Sequence, residues 1–364
     1  MARTIQAFYP SKGLDADKCT GLIFCGMGGP DGPEAVEPFL RNLFSDPAIL
    51  PVPRLLSPLV GLLFSKRRGP ETRKRYLQVS SDGVTPQLAT TLAQARAVAQ
   101  MLSDAGTPCI GAMAMRYWHP YPEKTLKELV SQGAQQFILV PTYPQYSCAT
   151  NGSTLKFVLD AMTEVAPGMP VHVMQQWPLL PGLVDVLANA STEALASFTQ
   201  QEFAPDSCAL LYVAHSLPMK MIDRGDPYLE QTLSTVNAVQ DQIKTSIKKS
   251  GHEVWAQRVT GYSEPLLTFQ SKVGPIKWVG PEVIKVVTQL AAKGIRHLHV
   301  QPVSFTCEHV ETLLELDVEL KEIALKAGIK TFSRGQALNL QSSWLQSMAL
   351  ELQKQSFKRE ISAP

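Results

Sequence analysis

Short apolar runs, separated by stretches of helical periodicity, organise this chain. Gly21–Cys25 (GLIFC), Cys109–Met115, Gln136–Pro141 and Pro170–Gln175 have the length and apolar character of buried strands. Between them, apolar residues recur at three- and four-residue spacing over Glu34–Phe44, Pro86–Gly106, Glu123–Gln132 and Ser153–Val165, which predicts amphipathic helices. The pattern then begins again. Helix Leu183–Thr199 leads to strand Cys208–Ala214, helix Tyr228–Ser250, strand Trp255–Gly261, helix Glu282–Lys293, strand His297–Pro302, a further helix, strand Ile329–Ser333 and a last helix over Leu340–Lys354. Strands alternating with helices imply parallel sheets with right-handed crossovers. The expectation is an α/β protein of two similar Rossmann-type domains. Each has a four-stranded parallel sheet flanked by helices, with a ligand cleft between the two. The first covers residues 18–175 and the second 176–335, and a C-terminal helix, 340–356, packs back on the first.

Two stretches stand apart from this alternation. Arg54–Phe64 packs seven Leu, Val and Phe residues into eleven positions, and Lys66, Arg67 and Arg68 follow at once. Pro58 and Gly61 weigh against one regular helix there. Such a run is either buried or an exposed apolar lip, 54–68, beside a basic cluster. The second stretch is Gln301–Leu320. A buried strand runs into a helical pattern, 308–320, on which Glu308, Glu311, Glu315 and Glu319 are spaced three, four and four apart, with His309 beside the first. Residues at that spacing share a helix face and like charges there repel. The stripe is either a solvated face opposite Val310, Leu313, Leu314 and Leu320, or a path for a divalent metal or for protons.

In open parallel sheets, ligands bind beyond the carboxyl ends of the strands, and the unusual polar residues collect there. Met27 follows the first strand, Arg116-Tyr117-Trp118-His119 the second and Tyr143–Cys148 the third. His215 follows Cys208–Ala214, and Glu311 lies one loop beyond His297–Pro302. Tyr117, Trp118, Tyr143, Tyr146 and Trp278 offer either core filling or flat walls for an aromatic ligand, with Arg116 placed for a carboxylate on its edge. The glycine turn GMGGP (Gly26–Pro30) is neither GxGxxG nor a P-loop, which argues against a nucleotide.

Composition narrows the class further. Over 364 residues, 45% are hydrophobic and 18% charged, enough for globular cores, and the net charge of +2 argues against a nucleic-acid binder. The six cysteines are scattered without a CxxC pair, a pattern of reduced thiols rather than a disulfide framework. The first residues lack a secretory h-region, and no run of 18 uncharged apolar residues occurs. A cytoplasmic protein, peripheral on a membrane at most, is expected.

Four long motifs then carry a resemblance. AHSLPMKMIDRGDPY (Ala214–Tyr228), YPQYSC (Tyr143–Cys148), SKVGPIKWVGP (Ser271–Pro281) and FTCEHVETLLELDVE (Phe305–Glu319) closely resemble ferrochelatase, as do MGGPD (Met27–Asp31) and RYWHP (Arg116–Pro120). The resemblance spans about Leu22 to Leu352. It implies a lyase that inserts Fe²⁺ into protoporphyrin IX in the last step of haem synthesis. It assigns His215 and Glu311 to catalysis and metal contact, without separating proton acceptor from metal ligand. Glu308, His309, Glu315 and Glu319 fall to a metal or proton path. Met27, Arg116, Tyr117, Tyr143, Ser304, Phe305 and Trp278 fall to substrate binding. Met27 stands where coproporphyrin-using members often carry Tyr, which leans toward protoporphyrin. No permanently bound cofactor is expected, Fe²⁺ being a substrate. Cys148 matches one ligand of the [2Fe–2S] cluster of some members, but its partners are missing, so no iron–sulfur cluster is expected. The implied partners are protoporphyrin IX and Fe²⁺, with a membrane surface or a porphyrin-donor enzyme as a transient contact. The alternatives are a coproporphyrin III ferrochelatase, another tetrapyrrole metal chelatase, a non-catalytic haem or metal carrier of the same fold, and a nucleotide-dependent Rossmann enzyme.

Overall fold

The computed structural model describes residues 13–47, 49, 52–249, 265–272, 274 and 276–357. Strands β1 (Thr20–Gly26), β2 (Cys109–Met115), β3 (Gln136–Pro141) and β4 (Val171–Val173) form one parallel sheet in the order β2-β1-β3-β4. Strands β5 (Cys208–His215), β6 (Leu267–Gln270), β7 (His297–Pro302) and β8 (Thr331–Arg334) form a second in the order β6-β5-β7-β8. In both, the chain leaves the first strand to one side and returns on the other. The carboxyl ends of β1 and β5 therefore lie at topological switch points, where open sheets receive ligands.

The described residues divide into two compact units. One runs to Trp177 and takes the chain back from Leu345, and the other is Pro178–Trp344. In the first, β1 and β3 are buried throughout. Ile23, Phe137 and Leu139 pack against Leu126 and Leu129 of α4 (Pro122–Ser131) and Leu155 and Val158 of α5 (Ser153–Val165). On β2, Gly111 lets α3 (Gln87–Asp104) approach the strand, since an added Cβ would come within 2.7 Å of Arg96 Cα. The last helix, Ser342–Ser356, ends against this unit, with the Leu14 N–H donating to the Ser356 carbonyl at 2.8 Å.

In the second unit one sheet face is apolar. Leu211, Val213, Leu298 and Val300 pack on Val287, Leu316 and Leu320. The alternate residues of β7 are polar and buried, namely His297, His299 and Gln301. His299 Nδ1 pairs with the Ser333 hydroxyl at 2.9 Å, while its Nε2 is buried without a hydrogen-bond partner. Burial, the larger influence, and the nearby Arg334 charge bring the His299 imidazole down to about 4, with the neighbouring Gln301 side chain acting the other way.

Two expectations are corrected, and a third falls outside the described residues. The Leu-rich stretch, read as too broken for one helix, forms a continuous α2 (Ser57–Val79). Pro58 sits in the first turn, where a proline is harmless. Ser57, Gly61, Ser65 and Gly69, four apart, are buried, and Gly61 faces α1 (Val36–Phe44), where an added Cβ would meet the Arg41 carbonyl at 2.8 Å. That small-residue seam turns Leu59, Leu63 and Phe64 outward, and the preceding Leu55 is 95% exposed. Next, the second sheet takes Leu267–Gln270 beside β5, while the predicted strand Trp255–Gly261 lies outside the described residues. Finally, the acidic helix is not one regular helix. A single turn, Val310–Leu313, is followed by a π-helical segment, Glu315–Leu320, and then by Lys321–Ala327.

Candidate active site

His215 is the last residue of β5, and two neighbours fix its backbone. The buried Tyr228 hydroxyl donates to the His215 carbonyl at 2.9 Å, and the Ser304 hydroxyl reaches that phenol at 3.1 Å. The Ser216 N–H donates to the carbonyl of Gln270, the β6 residue paired in register with His215. The imidazole Nδ1 lies 2.6 Å from the Ser216 carbonyl oxygen. A carbonyl only accepts, so Nδ1 carries the proton and Nε2 is left as the basic atom. Nε2 faces Glu311 Oε1 at 3.6 Å, and Glu311 Oε2 faces His309 Nε2 at 3.5 Å. One carboxylate thus stands between two imidazoles. The His309 ring packs edge-on to Phe305 at 4.6 Å, and its Nδ1 is buried without a hydrogen-bond partner. A base opposed to a carboxylate is a place for a proton or a cation.

The π-helical segment decides where the other carboxylates go. The Glu319 N–H reaches back five residues, to the Leu314 carbonyl at 2.9 Å, so the phase differs from an α-helix. Glu315 turns to the end of β6. Its carboxylate accepts from the Ser271 hydroxyl at 2.6 Å and from Gln270 Nε2 at 3.2 Å, and Gln270 Nε2 also donates to the Glu311 carbonyl at 2.9 Å. Ser271 holds φ at 62°, a left-handed conformation unusual for a serine, in making this contact. Glu308, expected at the head of the stripe, lies before the helix. It pairs with Arg334 Nη1 at 3.0 Å and accepts from the Ala337 N–H at 2.8 Å. Burial pushes its carboxyl up, but Arg334 together with the Thr312 and Ala337 hydrogen bonds outweighs burial and holds it below the usual range. Glu319 is half-buried farther along. One predicted stripe is therefore split. Glu311 and Glu315 are braced from β6, and Glu308 is drawn to β8.

In the first unit, Met27, beyond β1, donates its N–H to the Tyr143 hydroxyl at 2.8 Å, and both residues are half-buried. Arg116 was expected to await a ligand carboxylate, but its guanidinium already has a partner. Nε donates to Asp46 Oδ2 at 2.8 Å, Nη1 reaches the Ser153 carbonyl, and the group lies over Phe157 at 5.6 Å. Tyr117 was expected in an exposed wall. It is 3% exposed, and its hydroxyl donates to the same Asp46 oxygen at 2.6 Å. Burial above all, offset by Arg116, raises the Tyr117 hydroxyl above its ordinary value. Tyr146 is buried as core, Ser304 is buried on Tyr228, and Trp278 and Phe305 are half-buried. Gln270, Ser271, Asp46 and Arg334 were missed as site residues. Ser271 opens the SKVGPIKWVGP motif and could have been flagged. Gln270, Asp46 and Arg334 act through strand register and long-range pairing, and carry no local signal.

A family model described as ferrochelatase matches residues 19–356. The chain belongs to the ferrochelatase family. A ferrochelatase of Gloeobacter violaceus is 35% identical over 335 residues, covering 90% of this chain and 95% of that protein. The ferrochelatase of Thermosynechococcus vestitus is 32% identical, over 95% of this chain and 83% of that one. The chloroplastic ferrochelatase-2 of Cucumis sativus is 31% identical over 93% of this chain, which spans 63% of that longer protein. Among solved structures, SirB from Bacillus subtilis with Fe³⁺ superposes with a TM-score of 0.47 at 11% identity, over 75% of this chain and 91% of SirB. As a ferrochelatase, the protein is a lyase that inserts a metal into a tetrapyrrole, and its substrates are a porphyrin and a metal ion.

Proposed function

We propose that this ferrochelatase inserts Fe²⁺ into protoporphyrin IX, forming protohaem and releasing two protons. The observation that carries the reading is His215. Its Nδ1–H is committed to a backbone carbonyl, and its Nε2 lies open beside Glu311 at 3.6 Å. Metallation replaces two inner N–H bonds of the ring with bonds to iron, so each turnover needs acceptors for two protons. Nε2 is the atom placed to take a pyrrole proton as general base. The imidazolium so formed is stabilised by the Glu311 carboxylate, and His309 on the far side of Glu311 offers the next acceptor. Glu315, held by Ser271 and Gln270, continues the anionic path along which iron arrives or protons leave.

Trp278 and Phe305, in the same unit as His215, supply flat apolar contact to the macrocycle. Arg116 and Tyr117 act by holding Asp46 and the segment around it. Iron enters as substrate, and no resident cofactor is assigned to the chain. Met27 supports protoporphyrin over coproporphyrin, because an apolar thioether adds no partner for an extra carboxylate. No helix among the described residues is long and apolar enough to cross a membrane. The outward row Leu55, Leu59, Leu63 and Phe64, with Lys66 and Arg67 beside it, supports reversible contact with an anionic membrane surface from the cytoplasmic side.

The test is anaerobic metallation of protoporphyrin IX and coproporphyrin III, each offered with Fe²⁺. Protoporphyrin is expected to show the higher kcat/KM. Preferential turnover of coproporphyrin would replace the substrate. Tight binding without turnover of either ring would turn the reading to a carrier.

A further inference from the structure

The π-helical segment raises a mechanical question. It places Glu315 against Ser271 on one side, yet a wide turn of this kind is rarely stable by itself. Something must hold it in phase on the opposite side. Asp317, two residues beyond Glu315, points the other way, and both its carboxylate oxygens meet one guanidinium. Arg334 Nε donates to Oδ1 at 2.7 Å and Nη2 to Oδ2 at 2.7 Å. The same guanidinium turns Nη1 to Glu308 Oε1 at 3.0 Å and to the Gly335 carbonyl at 3.0 Å. Glu308 and Asp317 bracket the segment that carries His309, Glu311 and Glu315.

The clasp is buried where it matters. The Arg334 side chain is 8% exposed, Glu308 12% and Asp317 35%. Its foundation is rigid, because Arg334 ends β8 and pairs in register with Val300 of β7. Glu308 is tied down further by the Ala337 N–H, and its own N–H donates to Asn339 Oδ1 at 3.1 Å. Planar, forked donors suit two carboxylates at once, which an ammonium cannot reproduce.

We propose that Arg334 is a positioning residue. By clasping Glu308 and Asp317 with one guanidinium, it fixes both ends of segment 308–317, and so holds Glu311 against His215 and keeps Glu315 in the π-helical phase. The inference rests on the reading of His215 and Glu311 as the reacting pair. Arg334 itself touches neither substrate nor the reacting atoms.

The experiment uses Arg334→Lys, which keeps the charge but loses the fork, and Asp317→Asn, which leaves the Glu308–Arg334 pair in place. Turnover is expressed per porphyrin-binding site, so unfolded protein does not count. Misplacing a reacting group by about 1 Å costs on the order of a hundredfold. A fall of roughly that size is expected in kcat for Arg334→Lys, and a smaller one in the same direction for Asp317→Asn. KM for the porphyrin should stay near the wild-type value in both. Unchanged kcat in both variants, or a rise in KM alone, overturns the proposal. Hydrogen exchange on the substrate-free protein reads the clasp without turnover. Faster exchange confined to the amides of 309–319 is expected in both variants, and wild-type exchange there overturns the proposal whatever the activity. A wild-type protein that metallates no porphyrin defeats the functional reading alone, since exchange still decides the clasp.

Discussion

At His215 the Nδ1–H is spent on the Ser216 carbonyl at 2.6 Å, so the lone pair on Nε2 faces Glu311. A side chain at the end of a buried strand cannot re-aim itself, and the geometry is therefore set before substrate arrives. Glu311 is the carboxylate that faces that imidazole, whereas Glu319 lies near the far end of the π-helical segment. Glu311→Gln is expected to lower kcat by about a hundredfold or more, the usual worth of a positioned proton-transfer group. Glu319→Gln should cost less than about a tenth of that effect. Steady-state metallation of both variants checks the ranking, and equal losses would return the stripe to a solvated acidic face. His215 and Glu311 were legible in the sequence because each sits in a dense motif at a strand's carboxyl end. Arg334 was not, because an arginine in FSRGQ has no neighbour in sequence that reveals its partners 17 and 26 residues away.

Among the elements, β7 and α2 show opposite ways of placing side chains. On β7 a polar face is buried, and His299 is neutral at ordinary pH. Its folded value of about 4 lies below the ordinary 6.5, so the unfolded chain binds the extra proton first. Stability from this group is complete above about pH 6.5 and is lost as pH falls toward 4, by up to about 3 kcal/mol. His172, lowered by burial, adds in the same direction. Thermal melts between pH 7 and 4.5 should fall more steeply for wild type than for His299→Leu, and equal slopes would contradict the assignment. On α2 an apolar row is exposed, because Ser57, Gly61, Ser65 and Gly69 occupy the buried face instead. Apolar content alone could not say which side faces solvent, and Gly61 looked like a breaker when it is a contact. The wild-type protein is expected to sediment with anionic vesicles at low salt and to be released at high salt, each basic residue adding about 1 kcal/mol. Leu59→Asp plus Leu63→Asp should abolish sedimentation without lowering turnover of detergent-solubilised porphyrin. Wild-type protein that stays in the supernatant at low salt would confine the row to another role.

For the molecule as a whole, two sheets of the same strand order each carry their unusual residues at the carboxyl ends, which alternation of apolar runs had foretold. The doubling was legible because strands buried on both faces are continuous apolar runs. The π-helical segment was not, because Glu311, Glu315 and Glu319 keep α-helical spacing in sequence, and tertiary pairing of Asp317 and Glu315 overrides it. The aromatic residues divided by burial that no local pattern reports, with Tyr117 and Tyr146 inside and Tyr143 and Trp278 partly open. The central claim is that the His215–Glu311 pair performs the deprotonation that lets iron into the ring. It is tested most directly by following anaerobic Fe²⁺ insertion into protoporphyrin IX by wild type and His215→Ala, with porphyrin affinity measured in parallel by fluorescence. The account predicts protohaem formation by wild type, and loss of at least about a hundredfold in the variant with porphyrin affinity nearly unchanged. Near-normal insertion by His215→Ala would contradict it.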